Sequence, residues 1–132
     1  MVEIRATEGG ADVSGSPEDL QSVRAAIAHL VNSGESAVSI RANGAANPKP
    51  YDFCMQELLI MRGDGPTRVQ FRGTESLVVS GAIENIEKFG SWFDYPASAE
   101  SGAHGHFEFF EGNEYISSDS VPLVIGVKFR GE

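Results

Sequence analysis

The feature that most constrains this chain is an offset. Val13-Ser14-Gly15 recurs as Val79-Ser80-Gly81, 66 residues later, in a chain of 132 residues. The same offset pairs Glu18 with Glu84, Leu20 with Ile86, Val23 with Phe89 and Ile27 with Phe93. Upstream, Val2 and Ile4 match Val69 and Phe71 one residue out of step. A long period that carries an apolar stripe inside it describes one supersecondary unit used twice. The expected organisation is a single domain over residues 1–132, with pseudo-repeats at about 1–66 and 67–132.

Each unit contains one helix. Ser16 is a good N-cap, Pro17 suits the first helical position, and Glu18 and Asp19 favour the positive end of the helix dipole. Leu20, Val23, Ile27 and Leu30 then form one stripe, so residues 17–31 are predicted helical, ending at Asn32-Ser33-Gly34 with a left-handed glycine. The second helix is predicted over residues 83–93, with Ile86, Phe89 and Phe93 inward and Gly90 weakening it.

Alternation with period two marks the strands. Val38 and Ile40 oppose Ser39 and Arg41, and Val69 and Phe71 oppose Gln70 and Arg72. Gly63-Asp64-Gly65-Pro66 is expected to join strands 57–61 and 68–71. Val121, Leu123, Ile125, Val127 and Phe129 share one face of a last strand, and 42–50 and 94–105 are loops. The order is ββαββ twice. The expected fold is α+β, a single antiparallel sheet with two helices on one face.

Composition narrows the partners. The net charge is −9, which disfavours nucleic acid and anionic membrane surfaces and favours a basic protein. The lone cysteine, Cys54, cannot form a disulfide within the chain and borders an apolar strand, which suits a small hydrophobe in a cytoplasmic protein. The first residues lack the basic and apolar regions of a secretion signal, and no run is apolar enough to span a bilayer.

Catalytic signatures are missing. There is no P-loop, no Gly-x-Ser-x-Gly elbow and no Cys-x-x-Cys, and no cofactor is implied. One cluster is suggestive: on a strand, His104, His106 and Glu108 share a face and could ligate a divalent metal, although the polar face of a half-buried strand looks the same. His29, in the last turn of the first helix, is a dipole partner.

Residues 89–127 contain no Lys or Arg. They hold Asp94, Glu100, Glu108, Glu111, Glu114 and Asp119, with the aromatics Trp92, Tyr95, Phe110 and Tyr115 among them or beside them. Acidic charge with aromatic anchors suits docking to a basic protein. The expected partner-binding residues are Trp92, Asp94, Glu100, Glu108, Glu111, Glu114, Tyr115 and Asp119.

The second half reads Leu77-Val78-Val79-Ser80-Gly81, a helix, then His104-Gly105-His106-Phe107-Glu108-Phe109-Phe110, Glu111-Gly112-Asn113, Glu114-Tyr115-Ile116 and Ser120-Val121-Pro122-Leu123-Val124-Ile125. This resembles the bacterial polymorphic-toxin immunity family numbered thirty-two. That family has an L-V-I-S-G strand, a helix, a histidine-bearing aromatic strand, a glycine turn and S-x-P-L-V-I. The chain departs at Glu111-Gly112-Asn113, where the family has Pro-Gly-His. The resemblance implies a small α+β protein that binds and neutralises a cognate toxin, and carries over no catalytic residue. A metal-dependent enzyme at His104, His106 and Glu108, and a homodimer paired through the uncovered sheet face, are the competing readings.

Overall fold

A computed structural model describes residues 1–129. Eleven elements run in the order β1 (Glu3–Thr7), β2 (Gly10–Gly15), α1 (Pro17–Asn32), β3 (Ala37–Arg41), β4 (Phe53–Met55), β5 (Glu57–Arg62), β6 (Arg68–Arg72), β7 (Ser76–Gly81), α2 (Ile83–Ser91), β8 (His104–Phe107) and β9 (Leu123–Val127).

The strands form two mixed sheets, which corrects the single antiparallel sheet. One has the order β4-β1-β2-β9-β8, the other β3-β5-β7-β6. Each is built around a hairpin from one half of the chain, β1–β2 or β6–β7. The inner strand of that hairpin pairs in parallel with a strand from the other half, β2 with β9 and β7 with β5. Exchanging the halves maps β1-β2-β9-β8 onto β6-β7-β5-β3 and leaves β4 without a counterpart, so the first half is ββαβββ where ββαββ was expected.

Two connections keep the strands between the helices from pairing in chain order. After β3, residues 42–52 carry the chain to the outer edge of β1, where β4 pairs with it. The turn at 63–66 does not join neighbours, because β7 lies between β5 and β6. It wraps the end of β7 instead: Gly63 N donates to Gly81 O at 2.8 Å, and Ala82 N to Gly65 O at 3.0 Å. The outer edge of β6 is covered by residues 115–121, through a Thr67–Ile116 bridge and a 2.8 Å bond from Val121 N to Val69 O. The expected long last strand is therefore split. Val121 serves β6, β9 begins at Leu123, and Phe129 is exposed.

Both helices follow their stripes. Leu20, Val23, Ile27, Ile86, Phe89 and Phe93 are all buried. Ser16 and Asp19 form a reciprocal capping box on α1. The other end differs from expectation. Gly34 is not left-handed; Ser33 is the C-cap, and its N–H bonds Leu30 O. The Arg62 guanidinium, arriving from β5, donates to the carbonyls of Leu30, Ser33 and Glu35 and satisfies the helix end in place of a glycine cap. Helix α2 stops at Ser91, with Trp92 as its C-cap, rather than at Phe93.

One core joins both sheets and both helices. In the first sheet its central row runs Met55, Ile4, Val13, Ile125 and ends at Gly105. The helices touch where Ile27 meets Gly90. A Cβ at that glycine would lie 2.9 Å from Ile27 Cγ2, so the residue that weakens α2 by propensity is the one that lets α1 approach. The single uncovered face expected of one sheet is replaced by two polar outer faces. One carries the row Cys54, Arg5, Asp12, Val124, His106, and the other the row Arg41, Glu57, Ser76, Arg72.

Candidate partner-binding surface

An aromatic ladder leads from the core to the surface at the end of α2. Phe93 stacks edge-on to Phe89 at 5.3 Å, Phe89 to Phe107 at 5.0 Å, and Phe107 to Trp92 at 5.7 Å. Phe89 and Phe93 are fully buried, whereas Trp92 is 37% exposed. The indole completes the core row of the first sheet at its last position. Two of its ring carbons lie 2.8 and 2.9 Å from where a Cβ on Gly105 would stand. Only glycine on β8 leaves room for that ring, so Trp92 is held as a rigid, half-open anchor.

Opposite Trp92 stands Tyr115, 44% exposed. The turn Glu111-Gly112-Asn113 sets it there: Gly112 takes φ 91°, and Asn113 Oδ1 accepts from Tyr115 N at 2.9 Å and Ile116 N at 3.1 Å. The Tyr115 carbonyl accepts from Thr67 N at 2.8 Å, which ties the turn to the second sheet. Lys88 Nζ lies 4.6 Å from the Tyr115 ring centroid, a cation–π contact. Asn85, Lys88, Ser91, Trp92, Phe107 and Tyr115 line the shallow cleft between them. Phe109 and Phe110, which follow β8, are 38% and 62% exposed.

The expected acidic residues separate into two groups. Asp94 is paired with Arg24 at 3.2 Å and accepts from Gln21 at 2.8 Å. Asp119 is paired with Arg68 at 3.2 Å and accepts from Ser117, bonds that hold its carboxyl below the usual range. The acidic run therefore has compensating cations, supplied by α1 and β6 rather than by the run itself. Glu108, Glu111 and Glu114 are exposed and make no ion pair among the described residues. Glu100 is also exposed, in the turn before β8; none of the four glutamates lines the cleft itself, and Glu108, Glu111 and Glu114 belong to the segment that runs from β8 to the Tyr115 turn. Tyr95 is half-buried, and its hydroxyl donates to Ile125 O at 2.9 Å, a structural role.

Lys88 lines the cleft, and Phe109 and Phe110 follow its lining residue Phe107 in the chain, although the reading of partner residues from sequence did not include them. The signal for the two phenylalanines was present: two successive aromatics after a strand cannot both face a core. Nothing local marks Lys88, which meets Tyr115 only through the tertiary fold.

The histidines lie on the other side of β8. His104 and His106 are exposed with ring centroids 5.1 Å apart, and His104 Nδ1 is 2.7 Å from Gly102 O. Among the described residues no three His, Cys, Asp or Glu side chains converge as a metal site would need, so Glu108 does not join the two imidazoles. Cys54 is half-buried on β4, its Sγ donates to Ala46 O at 3.2 Å, and burial pushes its thiol up. No helix among the described residues is long and apolar enough to cross a membrane. A scan against protein-family models and searches of curated proteins and of solved structures return no match for the chain.

Proposed function

We propose that this chain is a cytoplasmic immunity protein that binds a basic cognate toxin through the surface formed by Trp92, Tyr115, Phe109 and Phe110 with Glu108, Glu111 and Glu114. The observation that carries the reading is the aromatic ladder. A tryptophan rooted in the core and left open beside a second amphipathic ring is how protein interfaces place their anchors, and the glutamates at 108, 111 and 114 that follow β8 make no ion pair among the described residues. The net charge of −9 adds long-range attraction for a basic partner. The resemblance of the second half to the immunity family supports the same reading. A toxin that attacks nucleic acid carries a basic cleft, and carboxylates on an inhibitor take the place of phosphates there.

The test is a charge reversal. Glu108, Glu111 and Glu114 are changed together to Lys, and the variant is compared with one in which Glu8, Glu35 and Glu75 are changed to Lys. Both should fold, because exposed charges contribute little to stability. Binding to the toxin encoded beside this protein is expected to weaken more than tenfold in the first variant only, about 1.4 kcal/mol or more. Equal binding and equal cell protection by the two variants would remove the proposal.

A further inference from the structure

Among the described residues the fold covers the outer edges of its two hairpins and leaves β8 uncovered. Residues 115–121 lie along β6, and β4 lies along β1, whereas β8 ends its sheet and pairs, among the described residues, only with β9. The direction of its free groups follows from the ladder. Lys128 N bonds Gly15 O and Ala11 N bonds Pro122 O, so the even-numbered residues of β9 point their backbone groups at β2. Val127 N bonds Ala103 O, so the odd-numbered ones point at β8. With Gly105 opposite Ile125 and Phe107 opposite Leu123, the inward-bonding residues of β8 are Gly105 and Phe107. The N–H and C=O groups of His104 and His106 therefore face off the edge of the sheet.

Natural sheets blunt such an edge with lysine, proline or a bulge. His104-Gly105-His106-Phe107 contains no lysine and no proline. The inner side of this edge opens beside the cleft lined by Trp92, Phe107 and Tyr115, and the glutamates at 108, 111 and 114 follow directly in the chain. The other edge strands, β4 and β3, lack this setting: the exposed rings Trp92, Phe109, Phe110 and Tyr115 all belong to the end of α2 or to the segment after β8.

We infer that the partner adds an extended segment to the free edge of β8, placing one large apolar side chain in the Trp92–Tyr115 cleft and Lys or Arg side chains against Glu108, Glu111 and Glu114. The backbone groups of His104 and His106 supply hydrogen bonds that do not depend on partner sequence, and the cleft and carboxylates supply the selection. The inference rests on the partner-binding reading above and specifies its geometry.

Two variants at one position isolate the backbone. His106→Pro removes an outward N–H that the β9 ladder does not use, a place where an edge strand accepts proline. His106→Ala keeps the N–H and removes the imidazole. Toxin binding is expected to fall at least tenfold with proline and less than threefold with alanine, at unchanged Tm for both. An equal loss in both variants, or no loss in either, overturns strand addition. If the proline variant does not fold, hydrogen exchange of the unaltered protein decides. The amides of His104 and His106 should become protected in the toxin complex, and unchanged exchange there overturns the inference. Protection of the same amides in the protein alone, rising with its concentration, would assign the edge to a second copy and overturn the partner. The two proposals fail separately: loss of binding in the charge-reversed variant with unprotected β8 amides keeps the immunity reading and removes strand addition. If the toxin does not bind at all, the peptide acetyl-Lys-Val-Phe-Val-Lys-amide is the probe, and absence of protection at His104 and His106 by that peptide removes strand addition as well.

Discussion

Asp12 stands in the middle of the outer row of the first sheet, between Arg5 and Val124. Burial pushes its carboxyl above 3.8, against the opposing pull of Arg5, Lys128, a hydrogen bond with Tyr51, and His104. The sign of the linkage is the reverse of the usual aspartate. A raised folded pKa means that ionised Asp12 destabilises the fold; the cost is absent below about 3.8 and fully present above the raised value. Asp12→Asn is therefore expected to melt higher than the parent at pH 7, with the difference closing as pH falls through the acid range. A parent that melts higher at pH 7 would show that the cations around Asp12 outweigh its burial. Gly105 makes a related point at the same scale. Its character as a strand residue is poor, and its value lies in the volume it leaves for Trp92.

Helix α1 shows how an element can borrow its ends. Its N-terminus is local, because Ser16 and Asp19 cap each other within one turn. Its C-terminus depends on Arg62, which is 29 to 32 residues away from the helical and capping carbonyls it binds. Arg62→Met keeps the aliphatic stem and removes the charged donors. It is expected to cost about 2 kcal/mol in urea unfolding, the scale of charge-assisted hydrogen bonds, with Arg62→Lys between the two. A loss below about 0.5 kcal/mol would mean that water satisfies those carbonyls equally well. Helix α2 has no side-chain cap at Ala82 and only nine residues, so packing of Ile86 and Phe89 holds it rather than propensity.

For the whole molecule, the consequence of the strand order is mutual dependence. Neither hairpin has a complete sheet within its own half: β2 needs β9, and β7 needs β5. A half on its own leaves a parallel edge unpaired and half of the shared core exposed. Fragments cut between Asp64 and Gly65, in an exposed turn, are expected to lack cooperative melting separately and to regain it when mixed in equal amounts. Cooperative melting of either fragment alone would mean that each half holds its own core. The same long-range pairing makes loop closure a large part of the folding cost, which predicts slow folding for a chain of this size.

What the sequence determined by itself was whatever depends on neighbours within a few turns. The stripes of α1 and α2 are local periodicities, and all seven residues read from them are buried. The N-cap at Ser16 and the α+β class belong here too. Strand pairing was decided only in three dimensions, because an apolar alternation says which face is inward and nothing about which strand lies beside it. That is why the strands between the two helices were expected in a single antiparallel sheet, whereas five strands lie there and divide between two sheets. Charge balance was lost for the same reason. Asp94 and Asp119 look unpaired along the chain, yet Arg24 and Arg68 reach them from α1 and β6. The glutamates at 108, 111 and 114 remain without such a partner among the described residues, since the fold brings the cation Lys88 to the Tyr115 ring and not to them.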